Sequence, residues 1–366
     1  MARILVLGAK VPFTHGGQEI LVATLIKHLK ARGHEADVIE LPFNPLPKQN
    51  LLTQAAMWRS LDLAEFAGGK VDLIIATKFP TYYARHPKKS VWLVHQLRSF
   101  YDLHGGQYSD MGDDPRDEVL RRMITDGDAI TLGECSYRSA ISKNVADRLQ
   151  SYNGLSSTVL YPPLPLGDRY QNRAAKLYIL SVGRLCRIKR LDLMLNAMKH
   201  VSPEVSLKVV GTADEPGVME YFNNIIKGHD IGRRVEFLGR VSDEALIDLY
   251  AEAMGVFYAP FDEDYGYVTL EAMASGRPVV TATDSGGTLE FVKDRENGRV
   301  VSPDPAAIAE AFNEIARDSE TAKRMGANGR AFIESSGMLS QGWDTLIDAL
   351  LSPLSQGSCS QPNKAA

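Results

Sequence analysis

Cysteine is scarce in this chain of 366 residues: Cys135, Cys186 and Cys359 stand at spacings that fit neither a disulfide framework nor a zinc site. Reduced, structural thiols of a cytosolic protein are the expectation. Long apolar runs are missing as well. No stretch approaches the roughly 18 consecutive apolar residues that a spanning helix needs. The first apolar run, Arg3 to Leu7, is broken at Gly8 and Lys10, too early for a secretory core, and reads as a buried first strand. A surplus of positive charge is also absent, with 41 Lys and Arg against 45 Asp and Glu and a net charge of -4. Nucleic acid is therefore not an expected partner, because binding to a phosphate backbone is driven by a basic excess. Up to Pro165 the count is 19 basic against 17 acidic residues, and beyond it 22 against 28. The faintly basic first part leaves peripheral contact with an anionic membrane as an alternative to an ordinary solvated surface, so the expected location is the cytoplasm or the inner face of the membrane.

What is present is the balance of a globular protein: 44% hydrophobic and 23% charged residues, with 30 Gly and 18 Pro. The length favours two domains. Apolar runs of strand length alternate with segments of helical period through Arg3 to Leu7, Glu19 to Lys30, Ala36 to Leu41, Val71 to Ala76 and Val91 to His95. That alternation implies a parallel sheet covered on both faces. Gly33 is placed to end the first helix as a left-handed cap. The Pro-rich Tyr161-Pro-Pro-Leu-Pro-Leu-Gly167, followed by the polar stretch Asp168 to Lys176, is the candidate linker. A second strand series follows, through Leu177 to Val182, Ser206 to Val210, Val235 to Leu238, Gly255 to Ala259 and Pro278 to Thr281. The fold class is α/β, with doubly wound domains over 1–165 and 166–335, a helical stretch over 336–352 carrying Trp343, and a polar tail over 353–366.

Three places can carry chemistry. The first strand-to-helix loop holds Gly16 and Gly17 but not the GxGxxG of dinucleotide enzymes, which removes the main sign of hydride transfer. Two glycines at a helix start let amides approach an anion, or simply form a tight turn. In the second half, a strand runs into Gly183-Arg184-Leu-Cys-Arg-Ile-Lys189-Arg190, at the edge where open α/β sheets bind ligands. Arg184 offers a planar fork and Lys189 a mobile point charge, together matched to a diphosphate; a solvated basic loop is the plain alternative. The third place is Phe261-Asp-Glu263-Asp-Tyr-Gly266-Tyr-Val-Thr269-Leu-Glu271. Here Glu263 falls in a loop and Glu271 on the expected first turn of a helix capped by Thr269, with Gly266 allowing close backbone approach and Gly276 and Pro278 ending the helix. A glutamate near a helix start also needs no ligand, since it answers the helix dipole. Two Asp-x-Asp pairs are candidate metal motifs: Asp126 with Asp128, at the end of a helical segment from Asp117 to Thr125, and Asp262 with Asp264.

In their order and spacing these features resemble the GT-B glycosyltransferases, specifically the retaining group called glycosyltransferase family 4. The resemblance takes in Gly16-Gly17, Ser136 to Ser142, Tyr161-Pro162-Pro163, Gly183-Arg184 with Lys189, Val210-Gly211, Phe237-Leu238-Gly239-Arg240-Val241, the E-x7-E element of Glu263 and Glu271, and Gly286-Gly287 with Glu290. It implies two Rossmann-like domains facing a central cleft, the first binding the acceptor and the second a nucleotide-diphosphate sugar, with the last helix crossing back to the first. By that resemblance, Arg184 and Lys189 bind the diphosphate, Glu263 holds sugar hydroxyls and Glu271 ribose hydroxyls. Amides at Gly266, Tyr267 and Val268 complete the cradle, which Gly183 and Gly211 line, and Gly239, Arg240 and Val241 form the nucleobase edge. Gly16 and Gly17 approach the diphosphate, and His95 lies over the transferred sugar; a histidine at a strand end is otherwise a structural residue. The implied reaction is front-face transfer to a hydroxyl of a glycan, a lipid-linked acceptor or a small molecule, with no cofactor and no metal because two cations neutralise the leaving group. The segment from His95 to Gly112 looks like an acceptor-side loop or else a surface insertion. A sugar-nucleotide epimerase on the same fold and an inactive subunit that only binds a partner are the alternatives.

Overall fold

The run after Ala2 becomes β1 (Arg3–Lys10), whose Ile4, Val6 and Leu7 are buried as a central strand of a parallel sheet requires. The computed structural model describes residues 1–12, 16–66, 68–112, 114–339 and 342–355, and divides into two compact units, Met1–Pro165 with Gln341–Ala366 and Leu166–Ser340. In the first unit β1 is followed by α1 (Gly17–Ala31), β2 (Glu35–Pro42) and α2 (Asn50–Ser60). Gly33 takes φ 80 just after α1, as its position suggested. A two-stranded ribbon, β3 (Glu65–Phe66) and β4 (Gly69–Lys70), precedes β5 (Leu73–Lys78), β6 (Lys89–His95), α3 (Pro115–Gly133), β7 (Tyr137–Ala140), α4 (Lys143–Asn153) and β8 (Thr158–Val159). The strand order of the main sheet is β2-β1-β5-β6-β7-β8, and every pairing is parallel.

The second unit repeats the plan with β9 (Tyr178–Val182), α5 (Leu191–Ala197), β10 (Ser206–Val210), α6 (Val218–Gly228), β11 (Val235–Gly239), α7 (Asp243–Glu252), β12 (Gly255–Phe257), α8 (Tyr267–Ala274), β13 (Val279–Ala282), β14 (Gly298–Val301), α9 (Pro305–Arg317) and α10 (Ser319–Ser335). Its parallel sheet runs β11-β10-β9-β12-β13-β14, the order of a doubly wound nucleotide-binding sheet. Connections turn opposite ways from β9 and β12, so a crevice opens at their carboxyl ends. The core is the unit's own: Ile179, Met194, Leu207, Phe222, Phe257 and Phe312 belong to one buried cluster.

The chain then returns to the first unit. In α11 (Gly342–Leu350), Trp343 stacks on His28 with ring centroids 4.8 Å apart and meets Trp92 edge-on at 6.1 Å. Arg32 donates to Asp348 at 2.5 Å, and the Ser90 hydroxyl donates to the Leu350 carbonyl at 2.9 Å. A short α12 (Ser352–Ser355) follows. The expected single helix over 336–352 is corrected here: α10 has already run to Ser335, and α11 begins only at Gly342. Residues 356–366, with Cys359, lie outside the described residues. The other two thiols are buried, and burial pushes Cys135 up to about 11, which keeps it protonated.

Candidate active site

At the carboxyl edge of the second sheet three glycines end three neighbouring strands, Gly183 after β9, Gly211 after β10 and Gly239 on β11. The Gly183 amide donates to the Val210 carbonyl at 3.0 Å, and the Gly211 amide to the Gly239 carbonyl at 2.9 Å. Gly211 sits at φ 143, and a Cβ there would fall 1.8 Å from the Gly183 carbonyl oxygen, so no other residue fits. This close backbone approach leaves the rim free of side chains beside the crevice, which Gly183, Arg184, Lys189 and Tyr258 line. Arg240 is exposed and Val241 half-buried, both directly after the Gly239 end of that rim.

The structure brings Arg184 and Lys189 to one crevice, in different electrostatic states. Arg184 is exposed and pairs with Asp214, a surface contact of small worth that a ligand can exchange. Lys189 is mostly covered and is ion-paired to the Glu263 carboxylate. Its ammonium lies 3.4 Å from the Tyr258 hydroxyl, which itself donates to Glu263 Oε2 at 2.9 Å. Burial pushes the Glu263 carboxyl up, but the Lys189 charge and the hydrogen bonds from Lys189 and Tyr258 outweigh it and hold the group below the ordinary glutamate range. Tyr258 carried no sequence signal beyond being a polar-tipped aromatic at a strand end.

The E-x7-E element folds much as its residues suggested, with two corrections. Gly266, at φ 85, is the N-cap of α8, so the helix starts at Tyr267 and Glu271 lies one turn inside it rather than on its first turn. Thr269 is therefore within the helix, fully buried, and its hydroxyl has no hydrogen-bond partner among the described residues; it does not cap. The first-turn amides of an α-helix have no partner within the helix, and here they belong to the stretch Gly266, Tyr267 and Val268. A Cβ on Gly266 would come within 2.9 Å of Tyr258 and 3.2 Å of the Thr288 hydroxyl, so the ring, the loop and the helix start are packed together. Glu271 accepts a hydrogen bond from Tyr250 at 2.7 Å, and burial pushes its carboxyl above the ordinary value against that bond. The loop at Gly286 and Gly287 closes on the other side, with the Gly287 amide donating to the Glu263 carbonyl at 2.7 Å.

In the first unit the switch point lies between β1 and β5. Gly16 caps α1, and its amide donates to the Glu19 carboxylate at 2.8 Å, so that amide is already engaged; Gly17 opens the helix and is exposed. The Gly-Gly-x-Glu spacing carried that signal. Gln18 reaches the Thr77 hydroxyl at 3.4 Å, tying the helix start to β5. His95 ends β6, half-buried, with Nδ1 2.7 Å from the Gln96 carbonyl oxygen. The segment after it is packed: Phe100, Tyr101 and Leu103 are buried, and Arg98 and Arg148 both bind Asp102. The stretch from Phe100 to Leu103 is thus anchored, while His104 to Gln107 are exposed.

The Asp126 and Asp128 pair is also corrected. Both lie within α3 rather than at a helix end, and two residues apart on a helix their side chains point to different faces. Asp128 is fully buried and accepts from the Tyr83 and Tyr101 hydroxyls at 2.9 and 2.7 Å, while Asp126 is exposed. Burial raises Asp128 to about 7. Among the described residues no three His, Cys, Asp or Glu side chains gather as a metal centre needs, and no helix is long and apolar enough to cross a membrane.

Comparison with known proteins agrees with this architecture. Residues 168–332 match the family described as Glycosyl transferases group 1. The alpha-1,3/1,6-mannosyltransferase of Homo sapiens is 30% identical over 211 residues, which is 51% of this chain and 50% of that protein. The chain thus spans about half the length of the mannosyltransferase relatives it matches. Among solved structures, sucrose-phosphate synthase from Thermosynechococcus elongatus aligns with a TM-score of 0.80 at 20% identity, over 97% of this chain and 100% of that one. HepE of Anabaena, in complex with UDP-glucose, aligns with a TM-score of 0.70 at 18% identity, over 96% and 99%. Identities this low speak to fold, and the fold is GT-B. The match to the group 1 glycosyl transferases takes in the second unit of the chain almost from end to end.

Proposed function

We propose that this protein transfers a sugar from a nucleotide-diphosphate sugar to an acceptor hydroxyl of a glycan, a lipid-linked saccharide or a small molecule, with retention at the anomeric carbon. The observation that carries the reading is the meeting of Arg184, Lys189, Tyr258, Glu263 and the start of α8 at the β9/β12 switch point. Breaking the bond from the anomeric carbon to oxygen puts negative charge on the departing diphosphate. Cations and helix-start amides already in place stabilise that charge without reorganisation. Arg184 exchanges its exposed Asp214 partner for phosphate, and Lys189, held by Glu263 and Tyr258, supplies a fixed charge beside it. Glu263 is engaged by two donors, which suits holding sugar hydroxyls better than attacking carbon, so the departing phosphate is the group that takes the acceptor's proton. Glu271 and the Gly239–Val241 rim then take the ribose and base. In the first unit, His95 and Gly17 stand at the carboxyl edge of their own sheet.

The mannosyltransferase relative and the UDP-glucose complex of HepE suggest GDP-mannose and UDP-glucose as first donors to try. Each is titrated by thermal shift, where a ligand at 100 times its dissociation constant adds about 2.7 kcal/mol. Nucleoside diphosphate release is then followed with and without EDTA. Binding that weakens in Glu271→Ala, and turnover that falls in Lys189→Ala while surviving EDTA, is the expected result. Activity that disappears on chelation and returns with Mg²⁺ or Mn²⁺, with Arg184→Ala and Lys189→Ala near wild type, would overturn the mechanism.

A further inference from the structure

Arg190 follows Lys189 in sequence but is turned inward, with 6% of its surface exposed. It sits at φ 53 and ψ 39, a left-handed conformation that side chains other than those of Gly, Asn and Asp rarely adopt. Backbone strain of this kind persists where the surroundings over-determine it. Here one guanidinium makes four hydrogen bonds: Nε to the Ala259 carbonyl at 2.7 Å, Nη2 to the Pro260 carbonyl at 2.9 Å, and Nη1 and Nη2 to the two Asp284 oxygens at 2.8 and 2.6 Å. Both targets belong to segments that place Glu263. Residues 259 and 260 lead directly into its loop, and the Asp284 carbonyl accepts from the Asp262 amide at 2.8 Å. The next residue, Ser285, accepts from the Glu263 amide at 3.3 Å, and the Phe261 amide donates to the Ile188 carbonyl at 2.9 Å. The loops after β9, β12 and β13 therefore meet at one side chain. Glycine at 190 would relieve the backbone, so what the position gains from arginine is the fork.

We propose that Arg190, acting with Asp284, is a positioning residue of this site: its fork fixes the loop after β12 against the loop after β9 and so sets the contact between Lys189 and Glu263. This rests on the reading that these two residues face the sugar donor. Arg190 touches neither donor nor reacting atoms and acts through Glu263. The other charges around that carboxylate are Lys189, Arg184 and Asp264, with the Tyr258 hydroxyl.

The test compares Arg190→Lys, which keeps the charge without the fork, with Arg190→Gly, which removes the side chain and relieves φ, and with Asp284→Asn. The first readout needs no donor: the Glu263 carboxyl is titrated by ¹³C NMR. Its midpoint should move up in all three variants, because a loosened Lys189 contact stabilises the carboxylate less. A wild-type midpoint in Arg190→Lys reduces the effect to charge alone and overturns the proposal. The second readout is nucleoside diphosphate release from UDP-glucose or GDP-mannose. Here kcat should fall by on the order of 10 to 100-fold, the scale of a small misplacement at a reacting centre, while the donor KM and the thermal midpoint stay near wild type. A parallel loss of KM, kcat and thermal midpoint would make Arg190 merely structural and also overturn it. Displaced Glu263 titration with unchanged turnover leaves the clamp standing and overturns the donor-site reading beneath it.

Discussion

Lys189 and Glu263 each solve the other's problem. A carboxylate with little access to water is costly unless paired, and a lysine in the diphosphate role proposed for Lys189 must be held still to be of use at the transition state. Lys189→Ala removes both services, so turnover should fall by on the order of 100-fold, measured as nucleoside diphosphate release. The pairing also sets a pH dependence. Because the folded Glu263 value is depressed, its stabilisation is present above the unfolded carboxylate value of about 4.3 and is lost as pH falls through the folded value. Wild type should therefore lose stability on acidification more steeply than Lys189→Ala, a comparison made by urea denaturation below about pH 4.5 and near pH 7. Glu271 has the opposite sign. Burial raises it, so the fold prefers its protonated form, and stability is lost as pH rises through the folded value. Glu271→Gln, which keeps an acceptor for Tyr250, should be at least as stable as wild type near neutral pH yet bind nucleotide more weakly. A variant with unchanged nucleotide affinity would remove Glu271 from the ribose.

At the scale of elements, α3 carries a buried acid of unusual kind. Asp128 rises to about 7 through burial, so the folded protein keeps a proton there that the unfolded chain has released near pH 4. Stability should decline as pH climbs from about 4 to about 7 and level off above that, and Asp128→Asn, which cannot ionise, should flatten this part of the curve in urea denaturation. No sequence pattern announces such a group, since its state depends on Tyr83 and Tyr101, brought in from other segments. The same distinction runs through the fold. Strands such as β1, β5 and β9 were legible because a parallel strand buried on both faces is a continuous apolar run. In contrast, β14 is only Gly298-Arg-Val-Val301 and offers no such run. The start of α8 was misplaced because Thr269 is a good capping residue by type, whereas the backbone turns at Gly266 and needs no side-chain cap. Among the candidate site residues, Arg184, Lys189 and Glu263 were readable as charges after strand ends, and the structure brings them together. Arg190 with Asp284 was not, because its meaning lies in a contact across 94 residues.

At the scale of the whole chain, the two sheets are built from segments that are not equally continuous. The second unit is one stretch whose buried cluster uses only its own residues, so a 166–340 protein should fold and keep nucleotide affinity; a folded fragment without that affinity would count against placing the donor there. The first unit is closed by residues that come after the second. Without α11, the His28 ring, Trp92 and the Ser90 hydroxyl lose partners that bury them, and Arg32 loses Asp348. Trp343 is 2% exposed, and truncating a buried tryptophan costs about 3–5 kcal/mol. That is a large share of the 5–15 kcal/mol typical of a whole domain. A protein ending at Pro165 should therefore be markedly less stable than one in which 342–355 is joined behind it by a flexible linker, and the gain from the added helix should vanish when it carries Trp343→Ala. Thermal midpoints of the three proteins decide this. Equal midpoints for the first two would mean that α11 rests on the first sheet without holding it, and the intact chain's Trp343→Ala variant should then melt with wild type.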